Sequence, residues 1–380
     1  MLDGATSCGH LLPVEDGSVR VMCTPDELNQ ELNNGVRAFA LDSKGSLLAG
    51  WPVDLDGWRS STRVIGDTLT VYLLQSGGDV VVEGQPPDAG VMVTVAADGT
   101  VRSGAQVPIE CCGGGATWAV GPDGVTYGEV HHYADTPAGT TSELLAVGFG
   151  GIPSGWPVSF DGLASGPTFG PDGRLALTVA SIGRNTSRVL TFDGKAVVAR
   201  SRELPIATGV VVFADGAYEC GQPRPRPPLV AQDGTIFVYS EIDEAVFALV
   251  PSLDVMPGWP FEPPTPLERP FYADPRHDIS CSSLAIPAVG PDRVLYLPLQ
   301  ARDATVGGSM VAVGPDGRVR PGWPVELRRP GAEFWSVALG SDGTAYALAI
   351  EPEIGDASSA SILAIAPDST VLYTTTIIEP

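Results

Sequence analysis

Arginines gather in two proline-rich stretches of an otherwise acidic chain. Arg224 and Arg226 follow Tyr218, Glu219 and Cys220, and Arg276 and His277 sit among Arg269, Asp274, Asp278 and Cys281; Arg202 lies just upstream. A guanidinium offers a planar fork of donors that matches a carboxylate or phosphate. On a chain of net charge −23, with 45 acidic and 22 basic residues, this local density is the best candidate for an anion or carboxylate site. The expected binding residues are Tyr218, Arg224, Arg226, Arg276 and His277. Internal pairing of these arginines with Glu219, Asp274 and Asp278 is the alternative.

Other reactive residue types are sparse. Glu129, His131, His132 and Asp135 have a metal-like composition. Adjacent histidines on an extended segment point to opposite sides, so the two cannot share one ion. Asp54-Leu55-Asp56-Gly57 lacks the third acidic ligand and the distal Glu of a calcium loop. No Gly-x-Ser-x-Gly elbow, phosphate loop or dinucleotide fingerprint occurs. The sequence therefore predicts no metal, no cofactor and no catalytic residue.

Six cysteines complete the inventory: Cys8, Cys23, Cys111, Cys112, Cys220 and Cys281. Cys8 and Cys23 flank an Asp-Gly turn almost symmetrically, and Cys220 and Cys281 precede equivalent inner strands. An even count in this arrangement favours Cys8–Cys23 and Cys220–Cys281 disulfides and an oxidising compartment. Six reduced thiols in a cytosolic protein are the alternative. Met1-Leu2-Asp3-Gly4 has neither a basic nor an apolar leader character. The expected location is extracellular, cell-surface or periplasmic, with a signal peptide absent from this sequence.

The elements that position these residues form a repeat. Gly-Trp-Pro occurs at Gly50-Trp51-Pro52, Gly155-Trp156-Pro157, Gly258-Trp259-Pro260 and Gly322-Trp323-Pro324, with degenerate copies at Val107-Pro108 and Leu204-Pro205. A second marker is an aspartate, usually followed by glycine, ahead of a β-rich run: Asp16, Asp67, Asp123, Asp172, Asp233, Asp292 and Asp342. Their spacings run 51, 56, 49, 61, 59 and 50. Asp-Gly between two β-patterned runs marks a hairpin. A third marker, such as Phe247-Ala248-Leu249 or Val311-Ala312-Val313, gives one more strand per repeat.

Four antiparallel strands per unit, seven times over, predict an all-β fold: a seven-bladed β-propeller of four-stranded antiparallel blades. One domain spans 1–380, with blades near 1–55, 56–110, 111–161, 162–207, 208–263, 264–327 and 328–380. With 46 Gly and 35 Pro, helix-rich folds are excluded. One short helix is expected after Thr24 and Pro25, where Glu27 completes a capping box and Gly35 ends it.

The unit Val-Gly-Pro-Asp-Gly-x-x-Tyr … Leu-Ala-Val … Gly-Trp-Pro-Val resembles the pyrroloquinoline-quinone-type propeller repeat. That repeat is shared by bacterial quinoproteins and by non-catalytic scaffold propellers of the cell envelope. Calcium ligands and a catalytic Asp in matching context are not identifiable, although Cys111-Cys112 looks like the quinoproteins' vicinal pair. The resemblance therefore points to the non-catalytic branch.

The acidic surface repels nucleic acid and anionic membranes, and no segment suits membrane insertion. The expected function is a non-catalytic interaction or scaffold propeller presenting variable loops to a protein or glycan partner. The alternative is a small propeller enzyme: a metal-dependent lyase or lactonase, or, with less support, a quinoprotein dehydrogenase.

Overall fold

The computed structural model describes residues 5–14, 16, 18–25, 35–42, 46–56, 58–75, 89–108, 118–132, 141–181, 186–193, 196–205, 225–240, 245–264, 287–299, 305–340, 342–352 and 358–378. Among them there is no helix. The strands form seven antiparallel sheets, each from consecutive chain segments.

The first sheet holds β1 (Ala5–Pro13), β2 (Val19–Pro25), β3 (Gly35–Leu41) and β4 (Val53–Asp56). The second holds β5 (Trp58–Ile65), β6 (Thr68–Gln75), β7 (Ala89–Val95) and β8 (Val101–Pro108). The third holds β9 (Trp118–Val120), β10 (Thr126–His132), β11 (Thr141–Val147) and β12 (Val158–Asp161). These three lie in one compact unit, which ends at Asp161.

A second compact unit takes Gly162–Pro380. In its first sheet the inner edge is split between β13 (Leu163–Ala164) and β14 (Thr168–Phe169), both paired to β15 (Leu175–Ser181), followed by β16 (Thr186–Asp193) and β17 (Ala196–Arg200). The next has three strands, β18 (Leu229–Val230), β19 (Ile236–Ser240) and β20 (Ala245–Leu249). Single bridges Val246–Phe261 and Leu249–Val255 stand where a fourth strand is expected. Then come β21 (Ala288–Val289), β22 (Leu295–Leu299), β23 (Ser309–Val313) and β24 (Val325–Glu326), and finally β25 (Glu333–Leu339), β26 (Ala345–Pro352), β27 (Ser358–Ile365) and β28 (Val371–Ile378).

The core sits between successive sheets. In the first unit Ala38, Ala40 and Trp51 pack on Leu69, Val71 and Val93 of the next sheet. Tyr72, Met92 and Val107 then meet Trp118, Leu145 and Val147. The second unit repeats the scheme, for example Phe237, Ala248 and Trp259 against Leu297 and Val311. A middle strand is covered on both faces, so β20 and β22 are buried at every position. An outer strand is covered on one face only, and β4 alternates buried and exposed.

The marker aspartates close the turns. Asp16 Oδ1 accepts the Ser18 amide at 2.8 Å, and Asp233 and Asp342 accept the amides of Thr235 and Thr344 at 3.0 Å. An aspartate that accepts the amide two residues on mimics a backbone turn, which is why the residue recurs. Thr24 and Pro25, where the expected helix would begin, pair with Ser7 and Ala5 and close β2. Residues 26–34 lie outside the described set.

Candidate functional site

Of the five expected binding residues, only Arg226 is described; it is half-buried just ahead of β18. Tyr218, Arg224, Arg276 and His277 lie outside the described residues, as do Cys220, Cys281, Cys111 and Cys112. Cys8 and Cys23 sit at directly opposed positions of β1 and β2.

Each histidine of the metal-like cluster makes its own contact, and Asp135 lies outside the described residues. On β10, Tyr127, Glu129 and His131 share one face and Gly128, Val130 and His132 the other. His131 is 8 % exposed, and its Nδ1 lies 2.8 Å from the hydroxyl of Ser142, its register partner on β11. His132 Nε2 lies 3.4 Å from the Glu143 carboxylate at the surface. A serine beside an imidazole has the composition of an activated nucleophile. Here Ser142 is fully buried, so the contact holds β10 to β11 and no substrate reaches it. Glu129, 1 % exposed, belongs to the same buried face, a burial that its place in a cluster of ligand types does not reveal. Among the described residues no three His, Cys, Asp or Glu side chains are placed to hold a metal.

Among the described residues Arg20 is the largest fully buried polar side chain. Its guanidinium donates to Ser18 Oγ at 2.9 Å and to the carbonyl of Asp67 at 3.3 Å, and it lies 5.4 Å from the centre of the Trp51 ring. A guanidinium over an aromatic face is a favourable contact. This arginine ties the first sheet to the second.

A groove of about 530 Å³ opens beside the Asp292-Arg293 and Asp316-Gly317 turns of the sixth sheet, lined by Asp292, Val294, Pro315, Asp316, Arg318 and Arg320. Arg320 Nη1 and Asp292 Oδ2 form an exposed ion pair of 3.3 Å there. Tyr296 has its phenol pushed up by burial and then by the Asp292 charge. The groove offers charge and shape but no nucleophile.

Consecutive antiparallel sheets stacked face to face within each unit invite comparison with solved proteins. The periplasmic gluconolactonase of Pseudomonas aeruginosa matches at TM-score 0.50 and 15 % identity, over 92 % of this chain and 93 % of that one. The fold is a β-propeller. A streptogramin B lyase aligns at TM-score 0.46 and 14 % identity over 91 % of this chain and 92 % of that one. The virginiamycin B lyase of Staphylococcus aureus aligns at 0.44 and 13 % over 84 % and 83 %. No family model matches the sequence, and a search of curated proteins finds no match.

The gluconolactonase match corrects the expectation of a non-catalytic scaffold, and with it the expectation that the chain is no enzyme: the propeller it matches over nearly its whole length is an enzyme. The physical reason is that variable loops on a rigid set of sheets frame a catalytic pocket as readily as a docking face, so the loop pattern alone does not discriminate. No helix among the described residues is long and apolar enough to cross a membrane.

Proposed function

We propose that the chain is a seven-bladed propeller enzyme that opens small cyclic esters, a lactonase acting on a sugar-derived substrate. What supports the reading is the end-to-end fold likeness to the gluconolactonase, over 92 % of this chain and 93 % of that one. The sequence adds a chemical argument. Opening a lactone turns a neutral ester into a hydroxy-carboxylate, and the arginine-rich stretches supply the donor type that stabilises the developing oxyanion and then the product. In this proposal Arg224, Arg226 and Arg276 bind the carboxylate side and Tyr218 the sugar hydroxyls. His277 takes a proton from water, the hydroxide adds to the carbonyl, the ring C–O bond breaks, and the proton passes to the leaving alkoxide.

Base uptake in a pH-stat with glucono-1,5-lactone tests it, with and without added divalent cations. Turnover well above spontaneous hydrolysis is expected. Arg224→Ala/Arg226→Ala/Arg276→Ala is expected to lower kcat/KM at least about 100-fold, the size of losing an oxyanion donor. Hydrolysis no faster than the buffer blank across aldonolactones overturns the proposal.

The same reading includes an oxidising, periplasm-like compartment, with Cys8 bonded to Cys23 and Cys220 to Cys281. The opposed register of Cys8 and Cys23 supports the first bond. Alkylation under non-reducing denaturation, read by intact mass, is expected to leave those four cysteines unlabelled. Six labelled thiols would refute both pairings.

A further inference from the structure

The outer strand of the last sheet differs from the other outer strands. β4 carries Asp54 and Asp56, β8 Arg102, β12 Asp161, β17 Arg200, and β24 is a two-residue strand with Glu326. Charges and short lengths at sheet edges prevent unwanted pairing. β28, with the sequence Val-Leu-Tyr-Thr-Thr-Thr-Ile-Ile, has eight residues and no charge, proline or glycine.

The side chains of its first four residues are exposed. Val371, Leu372 and Tyr373 are 43 %, 55 % and 51 % exposed. Tyr346, 37 % exposed, extends the patch through the cross-strand row Tyr346–Ala364–Tyr373. β8 is equally long, but the neighbouring sheet covers its edge: the Ala105 amide donates to the Phe149 carbonyl at 2.9 Å. Among the described residues no backbone hydrogen bond reaches β28 from outside its own sheet.

We propose that β28 is a docking edge for a second copy of this chain, its occupant being the same strand of that copy, paired antiparallel across a two-fold axis. Strand addition supplies main-chain hydrogen bonds, and a two-fold contact requires the surface to complement itself. β28 meets that requirement. An axis at Thr374 sets Thr374 opposite its own copy, Tyr373 opposite Thr375, Leu372 opposite Thr376 and Val371 opposite Ile377. Every pair joins β-branched, leucine or aromatic residues, the types that stabilise cross-strand neighbours. Charge points to the same occupant. Two copies of a protein of net charge −23 repel over most of their surfaces, and a charge-free strand is where they can approach. A basic partner would be drawn to the carboxylates instead.

Sedimentation velocity from about 1 to about 100 μM reads the outcome, a range that brackets weak and moderate self-association. A doubling of mass with concentration is expected. Leu372→Lys/Thr374→Lys is expected to stay monomeric with an unchanged melting curve, because each copy would face the other's charges. Val101→Lys, on the covered strand β8, is expected to dimerise like the parent. Hydrogen exchange on the unaltered protein supplies an arm that needs no variant: protection of the 371–378 amides should grow with concentration. A parent that is monomeric throughout, a lysine variant that still dimerises, or concentration-independent exchange in β28 overturns the proposal. So does a monomer that captures a strand peptide of different sequence, which would assign the edge to a foreign partner.

Discussion

The tryptophan of Gly-Trp-Pro does two jobs, and the residues around it explain why it recurs. Its indole N–H crosses to the next sheet: Trp51 Nε1 donates to the Ala97 carbonyl at 2.9 Å, Trp259 to Pro315 at 3.1 Å and Trp323 to Pro367 at 3.4 Å. Its ring packs on the fourth residue after the marker aspartate of its own repeat. Tyr127, Phe237 and Tyr296 meet Trp156, Trp259 and Trp323 edge-on at 5.4–5.5 Å, and Arg20 takes that place under Trp51. Where Leu204 replaces the tryptophan, the mate shrinks too, to Ala176 in the same core cluster. Trp259→Ala is therefore expected to cost about 3–5 kcal/mol in urea unfolding. Trp259→Phe keeps a ring but loses the donor, and should add a cost of about 1 kcal/mol for the hydrogen bond itself. Unchanged midpoints in both variants would contradict this role. A pH effect follows from the same row. The Tyr127 phenol is raised above the ordinary tyrosine value by burial first, then by donating to Asp123 Oδ2. Folding holds the neutral form, so this stabilisation is complete below the unfolded value and is lost as pH rises through the folded one. Tyr127→Phe should flatten the loss of stability above about pH 10, followed by melting temperature, with absorbance at 295 nm reporting phenolate.

The elements show where sequence reading succeeds and where it stops. Gly50, Gly258 and Gly322 have φ of +84°, +88° and +88°. A Cβ on Gly258 would overlap the Asp316 carbonyl of the next sheet's turn, and one on Gly50 the Asp98 carbonyl. Gly66 has φ +63° but open space around the missing Cβ. Gly66→Ala should then cost about 1–2 kcal/mol, the left-handed penalty alone. Gly258→Ala should cost distinctly more, because two backbones must separate; equal losses in chemical unfolding would show that the turns yield freely. The strands and Asp-Gly turns were legible because each is specified within a few residues, as in Asp233-Gly234 ahead of β19. The clasp was not. Trp259 and its acceptor Pro315 stand 56 residues apart, and nothing local in either announces the other. The helix expected after Thr24 falls almost wholly on residues outside the described set. Of the site, opposed placement of His131 and His132 followed from strand alternation. The burial of Glu129 and Ser142 depends on what packs over β10, which spacing does not encode.

Charge acts on the molecule as a whole. The chain carries 45 acidic and 22 basic residues, so most carboxylates have no cation to meet. The described ion pairs do little to offset this. Arg37–Asp54, Arg174–Asp172, Arg293–Asp233 and Arg320–Asp292 all join exposed side chains, and such pairs contribute about 0–1 kcal/mol each. Self-repulsion among like charges disfavours the compact state, and it is screened once the Debye length falls to about 10 Å near 0.1 M salt. Screening weakens the few attractive pairs as well, but the excess of carboxylates makes repulsion the larger effect. Raising NaCl from about 0.02 to about 0.5 M at pH 7 should therefore raise the melting temperature, with most of the gain below about 0.2 M, where the Debye length changes most. A melting temperature that falls over that range would mean that attractive pairs dominate, with the acidic residues spaced widely enough to ignore one another. Substituting exposed Asp54, Asp172 and Asp316 by Asn, one from each of three sheets, should reproduce part of the salt gain at low ionic strength only for Asp316, whose loss removes charge without breaking one of these pairs.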